Sequence, residues 1–300
     1  MSATEFIPPA KNLPAPAAVL ELFKPVTWFA PMWAFACGVI SAGGPGAGRW
    51  AYVLGGVILA GPLACAASQA VNDWFDRHVD AINEPGRPIP SGRIPGRWGL
   101  YIALFWTATS VVLGAVLGLY AFIASLVAAA LAWAYSAPPF RLKRNGWLGA
   151  AAVGVSYEGV AWVTGAAVAV HKAPSSLILA LAALYSIGAH GIMTLNDFKA
   201  IDGDTRTGVR SLPVMLGPRR AALVACAVMI APQLVVIGLL AAVGRPWFAA
   251  GIAGLALAQC ALMPTLLADP KAKAPWYNGT GVLLFVLGMM ASAFAVRGMG

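Results

Sequence analysis

The sequence predicts an all-α integral membrane protein with nine transmembrane helices. Three observations lead to this fold class: 60% of the 300 residues are hydrophobic and only 10% are charged, the mean hydropathy is +0.76, and the charged residues recur at regular intervals. Soluble domains carry about 25% charged residues, so a water-soluble fold is excluded. Disorder is excluded as well, because a chain this apolar has ample surface to bury.

The intervals between charges define the individual helices. Stretches of 23 or 24 residues without Lys, Arg, Asp or Glu recur along the chain, and a stretch of 43 residues separates Arg97 from Arg141. A hydrocarbon core of about 30 Å needs about 20 helical residues, so each shorter stretch is one span and the longest is two. Glu158 is the one charge within a further span. The predicted spans cover residues 26–42, 50–71, 98–117, 120–136, 147–170, 176–195, 221–243, 247–267 and 277–296.

The basic residues predict how the chain is oriented. Of the 20 Lys and Arg residues, 16 fall on the side of the N-terminus, which places the N-terminus in the cytoplasm and the C-terminus outside. The net charge of +9 is thereby explained without a nucleic-acid partner. We expect one membrane domain over residues 1–300, with a flexible cytoplasmic segment at 1–24 that lacks the features of a secretory signal.

The acidic residues concentrate in two short clusters. Each cluster begins with an Asn-Asp dipeptide and lies at the end of a predicted span. Their acids, six of the eleven in the chain, are Asp73, Asp76, Asp80, Asp197, Asp202 and Asp204. Because four spans separate the clusters, both face the cytoplasm. The simplest architecture is two four-helix halves in parallel orientation plus a ninth helix, around a central cavity where the clusters meet.

The spacing of the first cluster predicts a metal site. Asn72, Asp76 and Asp80 are four residues apart and share one helix face, where like charges repel unless a cation compensates them. All-oxygen ligands suit Mg²⁺ or Ca²⁺, and Mg²⁺ is typically held together with substrate phosphates. The pair of clusters therefore predicts a Mg²⁺-dependent diphosphate site, although a solvated loop mixed with arginines is the alternative for either cluster. The cations expected to neutralise the diphosphate are Arg77, Arg141, Lys143, Lys199, Arg206 and Arg210.

Four motifs in a fixed order resemble the UbiA-type intramembrane prenyltransferase superfamily. They are NDWFDRHVD (72–80) with NEPGRPIPSGRI (83–94), YSAPPFRLKRNGW (135–147), NDFKAIDGD (196–204) and GVRSLPVMLG (208–217). Within the superfamily, KPVTWFAPMWAF (24–35) and the Pro-Pro-Phe-Arg-Leu-Lys run are most similar to the chlorophyll and bacteriochlorophyll synthase branch. The segment SYEGVAW (156–162) resembles the bacteriochlorophyll member more than the plant one.

The resemblance implies a nine-helix enzyme that transfers a C20 isoprenyl group from geranylgeranyl or phytyl diphosphate to the propionate of bacteriochlorophyllide. It implies catalytic roles for Asp76 and Asp197. Lys143 and Tyr135 are added as catalytic candidates from their position at the cytoplasmic end of the fourth span. The metal ligands that the resemblance implies, with Asp202 added from its position, are Asn72, Asp73, Asp76, Asp80, Asn196, Asp197, Asp202 and Asp204. One position departs from the family pattern, because Ala200 stands where many members have an aspartate. Asp202 is expected to take its place.

The chemistry agrees with the residue types. An allylic diphosphate leaves when its developing charge is stabilised, as Mg²⁺, Lys and Arg can do. The acceptor carboxylate is already ionised at neutral pH, so no strong general base is needed. We expect Tyr135 and Lys143 to bind diphosphate oxygens, the alternative being an interfacial tyrosine and an ordinary basic loop.

Two polar residues within spans are candidate pigment contacts. Glu158 lies mid-span, where a charged carboxylate costs several kcal/mol. It is expected either to hydrogen-bond a ring carbonyl of the pigment or to make a structural hydrogen bond. His190 lies seven residues before Asp197, two turns deeper on the same face. It is expected either to ligate the chlorin magnesium or to bond a neighbouring helix.

Several other functions are open at this stage. The nearest is esterification of chlorophyllide, and the next is the same chemistry on 4-hydroxybenzoate, a quinone precursor or haem. A secondary transporter is a remote alternative, since its coupling carboxylates would lie near the midplane rather than at the cytoplasmic edge. The expected location is the photosynthetic inner membrane, with other proteins of pigment biosynthesis or assembly as possible partners.

Overall fold

The computed structural model describes residues 13–299, and the chain is largely helical over this range. Within it, eight helices are long enough and apolar enough to cross a membrane. We number the helices in chain order. They are α1 Pro16–Leu22, α2 Phe29–Ser41, α3 Trp50–Asn83, α4 Trp98–Leu117, α5 Leu119–Ser136, α6 Gly146–Val170, α7 Ser176–Thr207, α8 Leu212–Leu216, α9 Pro218–Ala242, α10 Pro246–Ala268 and α11 Pro270–Ala295.

The predicted span at 26–42 corresponds to a shorter apolar helix. A 3₁₀ turn at Pro25–Trp28 leads directly into α2, and the two together form the apolar segment Pro25–Ser41. At 1.5 Å per residue this segment is about 25 Å long, less than the roughly 30 Å of a hydrocarbon core. The other eight predicted spans each fall on one of the eight long helices. The all-helical membrane fold is thus confirmed, and a count of nine depends on α2.

Helices α3 and α7 are longer than a membrane is thick. They contain 34 and 32 residues, which corresponds to about 50 Å of helix each. Their C-terminal ends, which carry the two acidic clusters, therefore extend past any hydrocarbon layer that the rest of each helix crosses. This extension is the one that the spacing of the acidic residues predicts.

Two of the long helices contain a π-helical turn. These turns lie at Leu59–Cys65 in α3 and at Val155–Val160 in α6. Pro62 in the first turn has no N–H to donate, and the indole of Trp106 donates to its carbonyl oxygen at 3.0 Å. Insertions of this kind are frequent at functional sites because they change the direction of nearby side chains. Glu158 is carried by the second turn.

Glycines allow α2 and α6 to pack backbone to backbone. A Cβ on Gly165 would overlap the carbonyl oxygen of Phe35, and a Cβ on Gly38 would overlap that of Trp162. The indole of Trp162, fully buried, donates to the hydroxyl of Ser41 at 3.1 Å across the same contact. Small residues at such a contact are typical of membrane helices, where association depends on close packing.

The remaining helices pack mainly against their neighbours in the sequence. Helix α3 packs against α4, α4 against α5, and α5 against α6. In the second half α6 packs against α7, α7 against α9, α9 against α10, and α10 against α11. Helix α11 in turn contacts α2. This succession leaves a cavity between α2, α3, α5, α6 and α7.

The N-terminal segment differs in part from the expected flexible region. Residues 1–12 lie outside the described residues, but α1 is an ordered helix whose Ala18 and Leu22 are buried. Glu21 accepts hydrogen bonds from both terminal nitrogens of Arg93, at 2.5 and 2.8 Å. Hydrogen bonding and the charge of this guanidinium lower the pKa of Glu21. Helix α1 packs against the bundle through its apolar face. The Pro- and Ala-rich composition of the N-terminal segment did not predict this face.

The contact between α2 and α6 can be tested with matched glycine substitutions. We expect Gly165→Leu to lower the melting temperature of the detergent-solubilised protein by roughly 5 °C or more, because the new side chain would collide with the α2 backbone. Gly251→Leu in α10 is the control, since no atom lies within 4 Å of a Cβ there. Equal melting temperatures for the two variants would contradict the proposed packing.

Candidate active site

A cavity of about 430 Å³ runs from the membrane interior to the acidic ends of α3 and α7. At its polar mouth lie Asn72, Tyr135 and Asn196, and at its deep end lie Glu158 and Thr164. Most of the side chains between these ends are apolar or small. The space can accommodate a hydrocarbon chain whose polar end lies at the mouth.

The first carboxylate beyond the mouth is buried and paired with two cations. Asp73 is 1% exposed, and its Oδ1 lies 2.7 Å from Nζ of Lys24 and 3.5 Å from Nη1 of Arg87. The same Arg87 nitrogen lies 2.9 Å from Oδ2 of Asp80. Because removing one partner would leave a buried charge uncompensated, this group fixes the loop after α3 and the start of α2 against the α3 helix.

Asp76 faces a different cation. It forms an ion pair with Lys143, which lies on a 3₁₀ turn at Leu142–Arg144 between α5 and α6. Burial lowers the pKa of the Lys143 ammonium, and the charge of Asp76 acts in the opposite direction. One turn earlier on α3, the amide of Asn72 donates to the hydroxyl of Ser136 at 3.3 Å. These two contacts join the acidic end of α3 to the end of α5.

The second acidic cluster begins where α7 changes its helical form. The α-helix ends at Asn196, and Asp197 begins a 3₁₀ turn that precedes a last short helical stretch. Asn278 of α11 donates to Oδ1 of Asn196 at 2.9 Å. Asp202 is exposed and lies 2.9 Å from Nζ of Lys271, on the outside of the bundle. The structure therefore does not support the expectation that Asp202 replaces the family's aspartate at position 200, because the Asp202 carboxylate points away from the cavity mouth.

The two clusters converge, as the sequence predicts. A Cβ on Gly203 would lie 4.0 Å from the side-chain nitrogen of Asn83, at the end of α3. The charges of Asp197, Asp76 and Asp204 all act on the hydroxyl of Tyr135. Both acidic segments thus border the mouth of the cavity, with Tyr135 between them.

A short backbone pairing holds the basic loop beside the second cluster. The amide of Arg210 donates to the carbonyl of Arg144 at 3.0 Å, and the amide of Gly146 donates to the carbonyl of Arg210 at 2.8 Å. Asn145 caps the start of α6 by accepting from the amides of Trp147 and Leu148. This pairing fixes the loop that carries Lys143 relative to the residues after α7.

The predicted diphosphate cations occupy different environments. Arg141 has a left-handed backbone conformation, with φ of 43°, and its buried Nε has no hydrogen-bond partner among the described residues. The guanidinium of Arg77 stacks over the ring of Trp74, 4.1 Å from its centroid. The side chains of Lys199, Arg206 and Arg210 are exposed. Arg141 and Lys143 are therefore the predicted cations with buried, directed donors.

The donors at the mouth have the chemistry that Mg²⁺ requires, but they are not gathered into a closed cage. Among residues 13–299, no three His, Cys, Asp or Glu side chains come together closely enough to hold one ion. The available donors are carboxylate and amide oxygens, the type that Mg²⁺ binds together with water and substrate phosphates. Oδ2 of Asp73, buried beside them, has no partner in the described chain. An all-oxygen, incomplete ligand set fits an ion that arrives with a diphosphate.

Three residues of the site were not predicted from the sequence. Lys24 and Arg87 pair with Asp73, and Asn278 bonds Asn196. Lys24 and Arg87 lie within the motifs at 24–35 and 83–94, so the sequence offered a reason to consider them. Nothing in the sequence points to Asn278. Its role follows from the packing of α11 against the end of α7.

The two candidate pigment contacts face different spaces. Glu158 is 6% exposed, lines the cavity, and has no cation near it in the described chain. His190 is 8% exposed and does not line the cavity, although the sequence suggested the same face as Asp197. It lies against a groove on the other side of α6, with its ring centroid 5.4 Å from that of Trp147. The α-helical register places Ala189 and Met193 at the cavity instead.

Two known proteins are similar to nearly the whole chain. The Bacteriochlorophyll synthase 33 kDa chain of Cereibacter sphaeroides is 57% identical over 289 residues, which are 96% of this chain and 96% of that protein. The chloroplastic chlorophyll synthase of Oryza sativa subsp. japonica is 36% identical over 295 residues, covering 92% of this chain and 76% of that protein.

The fold also matches a solved structure. A UbiA homolog from Archaeoglobus fulgidus bound to DMAPP and Mg²⁺ superposes with a TM-score of 0.69 at 19% identity, over 93% of this chain and 99% of that one. The family described as the UbiA prenyltransferase family matches residues 30–287. The resemblance carried by the four sequence motifs is thereby confirmed, and the chain belongs to the UbiA prenyltransferase family.

Proposed function

We propose that this prenyltransferase esterifies the propionate of bacteriochlorophyllide with a C20 isoprenyl group from geranylgeranyl or phytyl diphosphate, releasing diphosphate. The observation that carries the proposal is the convergence of two acidic segments on Tyr135 at the mouth of an apolar cavity. The choice of acceptor is supported by similarity, which is greater to a bacteriochlorophyll synthase chain than to a chlorophyll synthase.

In this proposal the prenyl chain lies in the cavity and its diphosphate lies at the mouth. The donors that would hold Mg²⁺ there are Asn72, Asp76 and Asp80 on α3, and Asn196, Asp197 and Asp204 on α7. When bound, Mg²⁺ supplies positive charge to the leaving diphosphate. The solved homolog bound to DMAPP and Mg²⁺ supports this placement. Asp202 is left out of the set because it pairs outward with Lys271. Asp73 is assigned to positioning because it is 1% exposed and contacts two cations, Lys24 and Arg87, whereas Asp76 and Asp80 each pair with one cation.

The chain's own cations and hydroxyl would orient the diphosphate. Lys143 is held at the mouth by Asp76, and a phosphate oxygen can share its ammonium hydrogens. Arg141 offers a buried N–H without another described partner. Tyr135 lies near the acids of both clusters, and its hydroxyl hydrogen can be donated to a diphosphate oxygen held there. These donors stabilise the negative charge that develops on the leaving oxygen.

The reaction needs no proton transfer to begin. The bond between the allylic carbon and the diphosphate oxygen breaks with both electrons on the oxygen, and the acceptor carboxylate oxygen then bonds that carbon. The acceptor is already ionised at neutral pH, so a general base is unnecessary. The apolar walls of the cavity exclude the water that would otherwise capture the allylic cation.

The membrane placement follows from the charges and helix lengths. We propose nine spans, with α2 as the short one, arranged as two four-helix halves and a ninth helix. The acidic mouth faces the cytoplasm with the N-terminus, and the C-terminus lies outside, because 16 of the 20 basic residues fall on the first side. The host membrane would be the photosynthetic inner membrane.

The activity itself can be tested in isolated membranes. With Mg²⁺ and labelled geranylgeranyl diphosphate, membranes containing the protein are expected to convert bacteriochlorophyllide into its C20 ester and to use chlorophyllide more slowly. Mass spectrometry identifies each product, and a reaction without Mg²⁺ is the control. Preferential prenylation of 4-hydroxybenzoate would refute the proposed acceptor, and preferential use of chlorophyllide would favour the second candidate.

The carboxylates can be tested with a matched set of Asp→Asn variants. We expect Asp76→Asn and Asp197→Asn to lower the rate of ester formation at least about 100-fold, because each removes charge that holds Mg²⁺ at the diphosphate. Asp202→Asn should retain the activity within about twofold, since it breaks only an exposed ion pair. Melting temperatures measured on all three verify folding. Full activity of Asp76→Asn and Asp197→Asn would exclude the assigned site.

Glu158 can be tested through pigment selectivity. A neutral carboxyl group at the deep end of the cavity can donate one hydrogen bond to a ring carbonyl of the acceptor, and one such bond contributes about tenfold in rate. We therefore expect Glu158→Leu, which cannot donate this bond, to change the ratio of kcat/KM for bacteriochlorophyllide over chlorophyllide by about tenfold. Thr164→Val is the control, because its hydroxyl donates to the carbonyl of Val160. An unchanged ratio in Glu158→Leu would remove this role.

A further inference from the structure

A second space lies on the opposite face of α6 from the cavity. It is a groove of about 700 Å³ between α5 and α7, lined almost wholly by apolar side chains. Typical members of its lining are Tyr120, Val127, Val155, Val163, Leu179 and Ile187. Because α5, α6 and α7 are three of the membrane-length helices, the groove opens toward the lipid and not toward bulk water.

One polar side chain in this groove lacks a well-formed hydrogen bond within the described chain. His190 is 8% exposed and lines the groove, and neither of its ring nitrogens makes a well-formed hydrogen bond to the described residues, although the backbone of Trp147 lies close to the ring. Ser186, the neighbouring polar residue of the lining, already donates to the carbonyl of Ala182 at 2.7 Å. An unpaired imidazole in an apolar space costs free energy that a ligand can recover. The ligand should be apolar over most of its surface and accept a nitrogen lone pair at one point.

We propose that this groove binds the macrocycle of a magnesium tetrapyrrole, with His190 as the axial ligand of its metal. The inference rests on the proposed function and deepens it by assigning the acceptor ring a place outside the prenyl cavity. A chlorin is a flat apolar ring whose central Mg²⁺ has an open axial position, and neutral imidazole is a common metal ligand. The coordinate bond uses the lone pair of one ring nitrogen, and no proton is released.

The groove lies so that a pigment bound there can extend its propionate to the candidate active site at the mouth of the cavity. Ala124 and Val160 line both the groove and the cavity, so the wall between the two spaces is formed in part by small side chains. At the cytoplasmic end of the groove lies Trp147, four residues after Lys143, the cation at the mouth. A Cβ on Gly149 would lie 3.0 Å from Cα of Lys143, so the start of α6 lies directly over that loop.

The volumes of the two spaces agree with this division. The cavity of about 430 Å³ and the groove of about 700 Å³ each have the size of a pocket for one small ligand, so the two substrates fit two separate spaces better than one shared space. A separate groove of about 700 Å³ accommodates a macrocycle while its propionate extends toward the mouth. The donor and acceptor would then meet at the wall, with each apolar part kept in its own space.

The test measures pigment binding without the donor. Purified protein in nanodiscs is titrated with bacteriochlorophyllide and, separately, with its metal-free counterpart, and binding is followed by absorption. We expect His190→Phe to weaken binding of the magnesium pigment at least tenfold and to leave binding of the metal-free pigment unchanged. Added imidazole should restore the magnesium-dependent affinity in His190→Gly. A coordination change in the absorption spectrum should occur with the parent protein and be absent in His190→Phe.

A second variant keeps the test decisive if His190 variants fold poorly. Ala183 is exposed within the groove, so Ala183→Trp fills the space without entering the helix contacts. We expect Ala183→Trp to lose binding of both pigments. Gly251→Trp, at a position with open space around it, is the matched control and should bind both normally.

The outcomes separate this inference from the proposed function. If the parent protein esterifies bacteriochlorophyllide but His190→Phe and Ala183→Trp bind it as tightly as the parent, the groove assignment is overturned and the function stands. Loss of a co-purified phospholipid in Ala183→Trp, with pigment binding unchanged, would identify a lipid site instead. If the parent esterifies neither pigment, the proposed function fails, independently of what the groove binds.

Discussion

The structure depends on one constraint, which is that the bilayer core contains no water to solvate a charge. Most charged groups are therefore found at the ends of the long helices, and the buried aspartates there are paired, whereas Glu158 is the buried carboxyl group within a span that has no cation beside it in the described chain. Asp73 is the clearest case of pairing, since it is almost fully buried and engages both Lys24 and Arg87. These pairs fasten the start of α2 and the loop after α3 to one helix end. The shape of the cavity mouth follows from that attachment.

The same constraint explains why the proposed metal donors do not form a complete metal site in the absence of substrate. Carboxylates that face a diphosphate need compensation while the substrate is absent, and Lys143 supplies it to Asp76. A substrate that brings its own divalent cation exchanges these ion pairs for metal and phosphate contacts of similar charge. An arrangement of this kind keeps the mouth stable in both states. It also makes the site dependent on donor and metal together.

Helix α6 gives the molecule two separate spaces. Its π turn directs Glu158 into the cavity, while the opposite face of the same helix lies along the groove that contains His190. Glycines on α6 allow α2 to approach closely on one side and α7 on another. Helix α6 therefore separates the cavity from the groove by the width of a single helix with small side chains. A prenyl chain and a macrocycle differ in shape, and a wall between them lets each have a fitted surface.

The sequence by itself determined the membrane class, eight of the helices and the meeting of the two acidic clusters, because charge is so costly in lipid that its spacing marks each span. It also determined which residue types the site contains, since the motifs are contiguous. Only the tertiary structure decided that Asp202 pairs outward with Lys271, that Lys24 and Asn278 belong to the site, and that His190 faces a groove. These facts depend on the 3₁₀ turn within α7 and on contacts between helices distant in sequence. Neither is encoded in the spacing of charges, because both arise from how side chains of separate helices fit together.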